Sequence, residues 1–205
     1  SVFRVFFKKK INIIVLALLG VIVLMSYLYP LFVDFDKYGN ILDSTTKHLS
    51  PAKAMSQLGA GIHWILGTGA SGQSTFDAIW YGSRISISLA FVCAAINMTV
   101  GVIVGAIGGF SKKFDLFMIE VYNIVANVPY ILVISVLVML FTPSFWVMVL
   151  AFTITGWVTI AYFIRTQVII IRDREYNLAS KCLGTSTPKI ALKNILPFMT
   201  SVIVT

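Results

Sequence analysis

Long apolar runs alternate with short polar intervals along this chain. Residues 11–33 carry no charge and exceed the ~20 residues that a helix needs to cross the hydrocarbon core of a bilayer. Residues 85–110, 116–141 and 145–171 form three further apolar runs, and residues 198–205 begin another that is too short to span. The pattern predicts an all-α membrane protein, a polytopic helical bundle with about four spans and the start of a fifth.

The first apolar run follows a basic N-terminal stretch, residues 1–10. A cleaved signal peptide has the same order of segments, but its apolar region is only about 7–15 residues long and ends at small residues. Residues 11–33 form a longer run, and Tyr27, Tyr29 and Phe32 near its far end are typical of an interfacial aromatic belt. We therefore predict a first transmembrane helix at residues 11–33.

The polar interval at residues 34–84 has balanced charges and is predicted to be an extracytoplasmic loop. Phe76, Ile79 and Trp80 recur at helical spacing, which predicts a short interfacial helix over residues 75–83. The rest of the chain, residues 85–205, then forms the membrane core.

Two features of this loop resemble functional motifs. Residues 67–74 fit a phosphate-binding P-loop except at Gln73, where the motif requires a lysine to neutralise phosphate charge. His48 and His63 lie 15 residues apart without nearby cysteines, and we interpret them as surface residues. We predict neither nucleotide binding nor a metal site here, and no nucleophile and base pair in the chain indicates catalysis.

Composition agrees with a membrane protein. The 205 residues are 58% hydrophobic and 12% charged, which is too apolar for an ordinary soluble domain. The net charge of +8 could indicate a nucleic-acid partner, but the basic residues cluster beside the apolar runs, so membrane orientation explains them better. Cys93 and Cys182 fall on different elements and predict no disulfide.

The distribution of basic residues predicts the orientation. Eleven of the 16 lysines and arginines fall on one side of the predicted spans, and four fall on the other. The positive-inside rule places the richer side, including the N-terminus, in the cytoplasm. The richer side comprises Arg4, Lys8, Lys9, Lys10, Lys112, Lys113, Arg172, Arg174, Lys181, Lys189 and Lys193, and the other comprises Lys37, Lys47, Lys53 and Arg84. Arg165 falls within the fourth span, near enough to its end to extend toward water.

The spans themselves contain two informative patterns. Small residues recur in the second span at Gly101, Gly105, Gly108 and Gly109, and such spacing lets neighbouring helices approach closely. Polar residues in the third span are costly in lipid and are candidates for a substrate pathway. Hydrogen bonds between helices, or a glutamate near enough to the cytoplasm to reach water, are the alternatives. These pathway candidates are Glu120, Asn123 and Asn127.

A long polar interval after the fourth span, residues 173–197, predicts a helix, a turn and a second helix. Asp173 is a plausible N-cap of the first helix, and Gly184 is placed to end it in a left-handed conformation. Thr187 and Pro188 are typical of the N-cap and first position of the second helix, and Pro197 closes the unit.

The first helix of this hairpin has one distinct face. Glu175, Leu178, Ala179 and Cys182 recur at the i, i+3, i+4, i+7 spacing. The hairpin also carries basic residues, Lys181, Lys189 and Lys193, beside apolar ones, which suits a position at the membrane surface against another protein. An ordinary amphipathic connection between two spans has the same composition.

The order of residues 178–180, Gly184 and residues 194–197 resembles the EAA loop of ABC importer permeases, the element that docks on the ATP-binding subunit. With residues 174–176 ahead of it, the hairpin is most similar to the dipeptide/oligopeptide permease family. Leu178 stands where the family has its glutamate, so the resemblance implies docking through apolar burial unless Glu175 substitutes. The residues implied to bind the ATPase are Glu175, Leu178, Ala179, Ser180, Cys182, Leu183, Gly184, Ile190 and Pro197.

Further similarity extends from about residue 66 to residue 197, including residues 81–86, Asp115 and Pro129. One departure is residues 66–74, which lack the two acids and the arginine that the family has there. The resemblance implies the type I ABC importer permease fold. Because the family has two more spans after its EAA loop, it also implies that this sequence is part of a longer subunit.

The resemblance implies a multi-pass permease subunit of an ATP-driven importer in the bacterial cell membrane, with peptides as cargo. Nickel or another small chelate is the alternative cargo, and a helical membrane scaffold without an ATPase is the alternative class. The implied partners are a second homologous permease, two ABC ATPase subunits, an extracytoplasmic substrate-binding protein and the lipid bilayer. ATP and Mg²⁺ would bind the ATPase subunits, so no cofactor is expected in this chain.

Overall fold

The computed structural model describes residues 6–33, 44–190 and 193. Between residues 10 and 190 the secondary structure of the described residues is α-helical, apart from two 3₁₀ turns, Ser44–Thr46 and Ile62–Trp64, and one isolated bridge between Thr68 and Ser74. In chain order the helices are α1 (Lys10–Phe32), α2 (Pro51–Leu58), α3 (Thr75–Phe110), α4 (Lys112–Ala126), α5 (Tyr130–Leu140), α6 (Phe145–Arg172), α7 (Glu175–Cys182) and α8 (Thr187–Ile190).

Three of the described helices, α1, α3 and α6, are long and apolar enough to cross a membrane. Helices α4 and α5 pass the same test together but meet at a bend of 77°, which gives up to four spans. The protein is therefore an all-α polytopic membrane protein, and this confirms the predicted fold class.

The chain forms two compact units, residues 1–88 and residues 89–205, and α3 runs through the boundary. In the first unit, α3 begins at Thr75, so the predicted interfacial helix and the second span are one continuous helix. The hydroxyl of Ser74 explains this start, because it accepts a hydrogen bond from the backbone N–H of Asp77 at 3.1 Å. The prediction of a loop continuing to residue 84 is wrong at this end, since the charges of Asp77 and Arg84 lie within a helix.

Asp77 is the centre of a polar cluster in this unit. Its carboxylate is fully buried and accepts a hydrogen bond from the hydroxyl of Tyr29 on α1. The Nδ1 atom of His63 lies 2.9 Å from the same carboxylate. The interpretation of His63 as a surface residue is therefore wrong, while His48 is exposed as predicted. Burial of the carboxylate is tolerated because its oxygens have partners.

The turn at residues 67–74 uses its backbone N–H groups internally. The N–H of Ser71 donates to the side-chain oxygen of Gln73 at 2.9 Å, and the N–H of Gly69 donates to the carbonyl of Gln73 at 2.9 Å. A P-loop instead directs such groups at a phosphate. Gln73 thus organises the turn where the P-loop pattern has its lysine.

In the second unit, α6 is the helix against which α3, α4 and α5 pack. The glycines of α3 face it closely. A methyl group at Gly101 would lie 2.7 Å from Cβ of Ile160, and one at Gly105 would lie 2.8 Å from Cβ of Ile164. These positions confirm the close approach that the glycine spacing predicts.

The third predicted span, residues 116–141, is not one straight helix. It breaks at residues 127–129, between α4 and α5. Pro129 lacks a backbone N–H and disfavours the helical conformation at Val128, which is why the chain turns there. The prediction of a continuous span is corrected on this point.

Candidate coupling site

The polar hairpin begins where α6 ends. Asp173 is the C-terminal cap of α6, and Arg174 precedes the first residue of α7, so the prediction of Asp173 as the N-cap is wrong. The reason is a local ion pair: the Nε atom of Arg172 donates to the Asp173 carboxylate at 2.9 Å. This hydrogen bond lowers the pKa of Asp173 and keeps the carboxylate charged.

The turn after α7 requires a glycine. Gly184 has a φ of +80°, in the left-handed region, as its place in the sequence predicts. The N–H of Gly184 donates to the carbonyl of Lys181, and the N–H of Thr185 donates to the carbonyl of Ser180, each at 3.0 Å. These two bonds form a Schellman motif and fix the direction in which the chain leaves α7.

The second helix of the hairpin, α8, starts at Thr187, one residue earlier than predicted. The carbonyl of Ser186 accepts hydrogen bonds from the N–H groups of Lys189 and Ile190, so Ser186 takes the N-cap position that the sequence predicts for Thr187. Pro197, with the rest of residues 194–197, lies outside the described residues.

The predicted face of α7 is exposed. Glu175, Ala179 and Cys182 are accessible, and Leu178 is 48% exposed. Leu183, directly after the helix, is 86% exposed. An apolar surface of this kind on a polar hairpin is typical of a site that another protein covers.

Two of the hairpin residues that the structure describes are buried. Ile190 is 5% exposed and packs against Ile164, Val168 and Ile171 of α6. Its predicted place on the partner-binding surface is therefore corrected, because it holds α8 to the bundle from inside. Asn177, on the side of α7 opposite the exposed face, is 2% exposed, and the sequence does not predict its burial because its side chain is polar.

The pathway candidates lie on one side of α4. Glu120, Asn123 and Asn127 are all exposed, whereas Met118 and Tyr122 on the opposite side are buried. The side-chain amide of Asn127 donates to the carbonyl of Asn123 at 2.7 Å. The structure therefore brings the three predicted residues together as a polar stripe on α4.

An ion pair between α4 and α6 is a second feature that the sequence does not predict. The place of Arg165 near the end of its span suggests a side chain that extends toward water, but its guanidinium forms two hydrogen bonds with Asp115, one of them at 2.6 Å. The side chains are 16% and 15% exposed. Residues fifty positions apart in a sequence give no signal of such a contact.

We expect Arg165→Gln to lower the free energy of unfolding by about 2 kcal/mol, between the values for exposed and fully buried ion pairs. The loss arises because Asp115 keeps a partly buried charge. The double variant Asp115→Asn with Arg165→Gln should be more stable than either single variant, as measured by thermal unfolding of the purified protein. Equal and additive losses would show that the pair contributes nothing.

These features define a class of protein: a polytopic helical membrane protein with a polar helical hairpin whose apolar face is uncovered. The chain belongs to the family of binding-protein-dependent transport system inner membrane components, which it matches over residues 97–205. Its three to four candidate spans agree with an inner membrane component.

Three individual relatives show which kinds of permease the chain is similar to. The chain is 42% identical, over its full length and 64% of the relative's length, to the oligopeptide transport system permease protein AmiD of Streptococcus pneumoniae. It is 33% identical to the oligopeptide permease OppC of Bacillus subtilis, over 98% of the chain and 63% of the relative. The dipeptide permease DppC of Bacillus subtilis is 34% identical over 66% of the chain and 42% of its own length.

The chain thus spans less than two thirds of the length of each of these relatives. All three are permeases of peptide transport systems, by name. They confirm the predicted resemblance to the dipeptide/oligopeptide permease family.

Proposed function

We propose that this chain belongs to the permease subunit of an ATP-driven peptide importer in the bacterial cell membrane. The observation that carries the proposal is the match of the whole chain to an oligopeptide permease at 42% identity. The N-terminus and the polar hairpin lie in the cytoplasm, in keeping with the eleven basic residues on that side.

The exposed face of α7 is the proposed contact with an ABC ATPase subunit. Leu178 and Leu183 offer apolar surface to the partner. Glu175, at the start of the helix, supplies the negative charge of the family glutamate whose place Leu178 takes. Binding of ATP can shift the membrane helices only through a contact that differs between two states. The hairpin supplies that contact because it continues directly from α6.

The polar stripe on α4 is proposed to line the pathway. Glu120, Asn123 and Asn127 are exposed within a predicted span, and lipid cannot satisfy their hydrogen bonds. They therefore face a water-filled path or a second, homologous permease. An extracytoplasmic binding protein delivers the peptide, and ATP and Mg²⁺ bind the two ATPase subunits.

The test is uptake by the assembled transporter. The full-length permease is purified with the proteins that co-purify with it and reconstituted in liposomes with internal ATP. We expect an ABC ATPase among those proteins, and ATP-dependent uptake of labelled oligopeptides in the presence of the binding protein. Uptake of nickel chelates but not peptides would overturn the proposed cargo, and a complex without any ATPase would overturn the proposed class.

A further inference from the structure

The buried amide of Asn177 connects the hairpin to the last turn of α6. Its Nδ2 atom donates to the carbonyl of Ile171 at 2.7 Å. The same carbonyl accepts the backbone N–H of Arg174 at 3.2 Å. Carbonyls in the last turn of a helix have no partner further along that helix, and here the hairpin provides both partners. The amide is 2% exposed, so water cannot replace this bond without opening the junction.

Arg172 connects the same junction to α3. Its Nη1 atom donates to the carbonyl of Gly109 at 2.7 Å, next to the last residue of α3. The other side of its guanidinium is occupied by Asp173, with Nε at 2.9 Å and Nη2 at 3.2 Å from the carboxylate oxygens. A planar guanidinium can hold both partners at once in a fixed geometry, which a lysine cannot do.

A flexible connection between α6 and α7 would not have these contacts. If only the backbone joined the two helices, rotation about the backbone dihedrals of residues 173 and 174 would let α7 change its orientation relative to α6. Instead, Asn177 fixes α7 to α6, Arg172 fixes the end of α6 to α3, and Ile190 packs α8 against α6. Two of these contacts hold the hairpin against α6, and the third holds the end of α6 against α3.

We infer that Asn177 and Arg172 are positioning residues, which make the hairpin move as one body with α6 and α3 during transport. The inference rests on the proposed coupling function and adds the residues that transmit the motion. Neither side chain needs to touch the ATPase or the peptide. Their loss should therefore uncouple ATP hydrolysis from uptake without preventing assembly.

The decisive variant is Asn177→Asp, which keeps the shape of the side chain but replaces the donating amide by an acceptor. In the reconstituted transporter we expect the ATP hydrolysed per peptide imported to rise by at least about fivefold, the lower range of measured coupling between sites. The ATPase should still co-purify. The matched control is Thr166→Val, which removes a 2.9 Å hydrogen bond that stays within α6, and its ratio should equal that of the unchanged protein.

A distance measurement separates positioning from simple stabilisation. Spin labels are placed on α7 through Tyr176→Cys, which is exposed and lies off the proposed ATPase contact, and on α6 through Ile170→Cys, in a Cys93→Ala, Cys182→Ser background of the assembled transporter. We expect a narrow distance distribution in the unchanged protein and a broad one in Asn177→Asp. A residue that only stabilised the fold would change the yield and leave the width of the distribution unchanged.

The experiments give different results if the proposed import function fails and if the positioning role of Asn177 and Arg172 fails. If the unchanged transporter imports no peptide, the proposed function fails, while the distance distributions still test the junction. A narrow distribution and an unchanged ATP-to-peptide ratio in Asn177→Asp would overturn the inference. Should that variant fail to reach the membrane, Arg172→Gln decides by the same two readouts, because its side chain is 38% exposed and tolerates the change more readily.

Discussion

Gly184→Val is expected to reduce ATP-driven peptide uptake at least about tenfold while the protein still inserts in the membrane. Gly184 holds a φ of +80°, and a β-branched residue there costs about 1–3 kcal/mol. Among the described residues, none beyond the adjacent ones would come within 4 Å of a Cβ atom at this position, so the strain comes from the backbone alone. Relief of that strain redirects the chain after α7 and moves Leu183 away from the proposed contact with the ATPase. Uptake by reconstituted transporter measures the loss.

The matched control is Gly184→Asn, because asparagine tolerates the left-handed conformation better than other residues with a Cβ atom. It should retain most of the uptake. A charge at Ala179, as in Ala179→Asp, should abolish uptake by another route, since it places a carboxylate in the exposed face of α7. Normal uptake in both Gly184→Val and Ala179→Asp would remove the coupling role from the hairpin.

Gly105→Ala should destabilise the membrane bundle by about 1–3 kcal/mol, the usual cost of overpacking. The added methyl group would lie 2.8 Å from Cβ of Ile164 and even closer to the backbone carbonyl of Ala161, so helices α3 and α6 must separate. We expect a lower midpoint of thermal unfolding, measured by the fraction of purified protein that stays monodisperse after heating.

Gly108→Ala on the same helix is the control for this substitution. Its nearest neighbour would be the Asp115 carboxylate at 3.7 Å, which is ordinary van der Waals contact. Alanine also has a higher helix propensity than glycine. The control should therefore match or exceed the unchanged protein in stability. Equal loss at both positions would mean that close packing of α3 on α6 does not hold the bundle together.

Periodicity and hydropathy predict much of this fold because they report on burial over many residues at once. The apolar runs at residues 11–33 and 145–171 differ from α1 and α6 by one residue at the ends. The glycine spacing in α3 predicts the packing surface, and Gly184 predicts the end of α7. In each case the feature depends on residues that lie close together in the sequence, within one element.

The remaining features depend on contacts between distant residues. Asp77 falls in a predicted interfacial helix, where an acid is expected to meet water, but His63 and Tyr29 let its charge lie buried at the start of α3. Arg165 is at the right depth to reach water, yet Asp115 binds it. Asn177 lies on the side of α7 opposite its exposed face, where a polar residue gives no sign of burial. No local pattern identifies such pairs, because each partner lies on another element.

Pro129 shows a second reason why the sequence does not predict the whole fold. Membrane helices often tolerate proline, since neighbouring groups satisfy the backbone groups that it leaves unpaired. The sequence of residues 116–141 is thus compatible with either a kinked span or two helices. The bend of 77° between α4 and α5 becomes clear only from the packing of both on α6.

Cys182 offers a direct test of the proposed contact between α7 and an ATPase in the cytoplasm. This native thiol is exposed on the face of α7, whereas Cys93 is buried within α3. A photoactivatable maleimide on Cys182 of the assembled transporter should crosslink an ABC ATPase subunit. Crosslinks to lipid alone, or labelling of Cys182 by an impermeant reagent from outside intact cells, would contradict the claim.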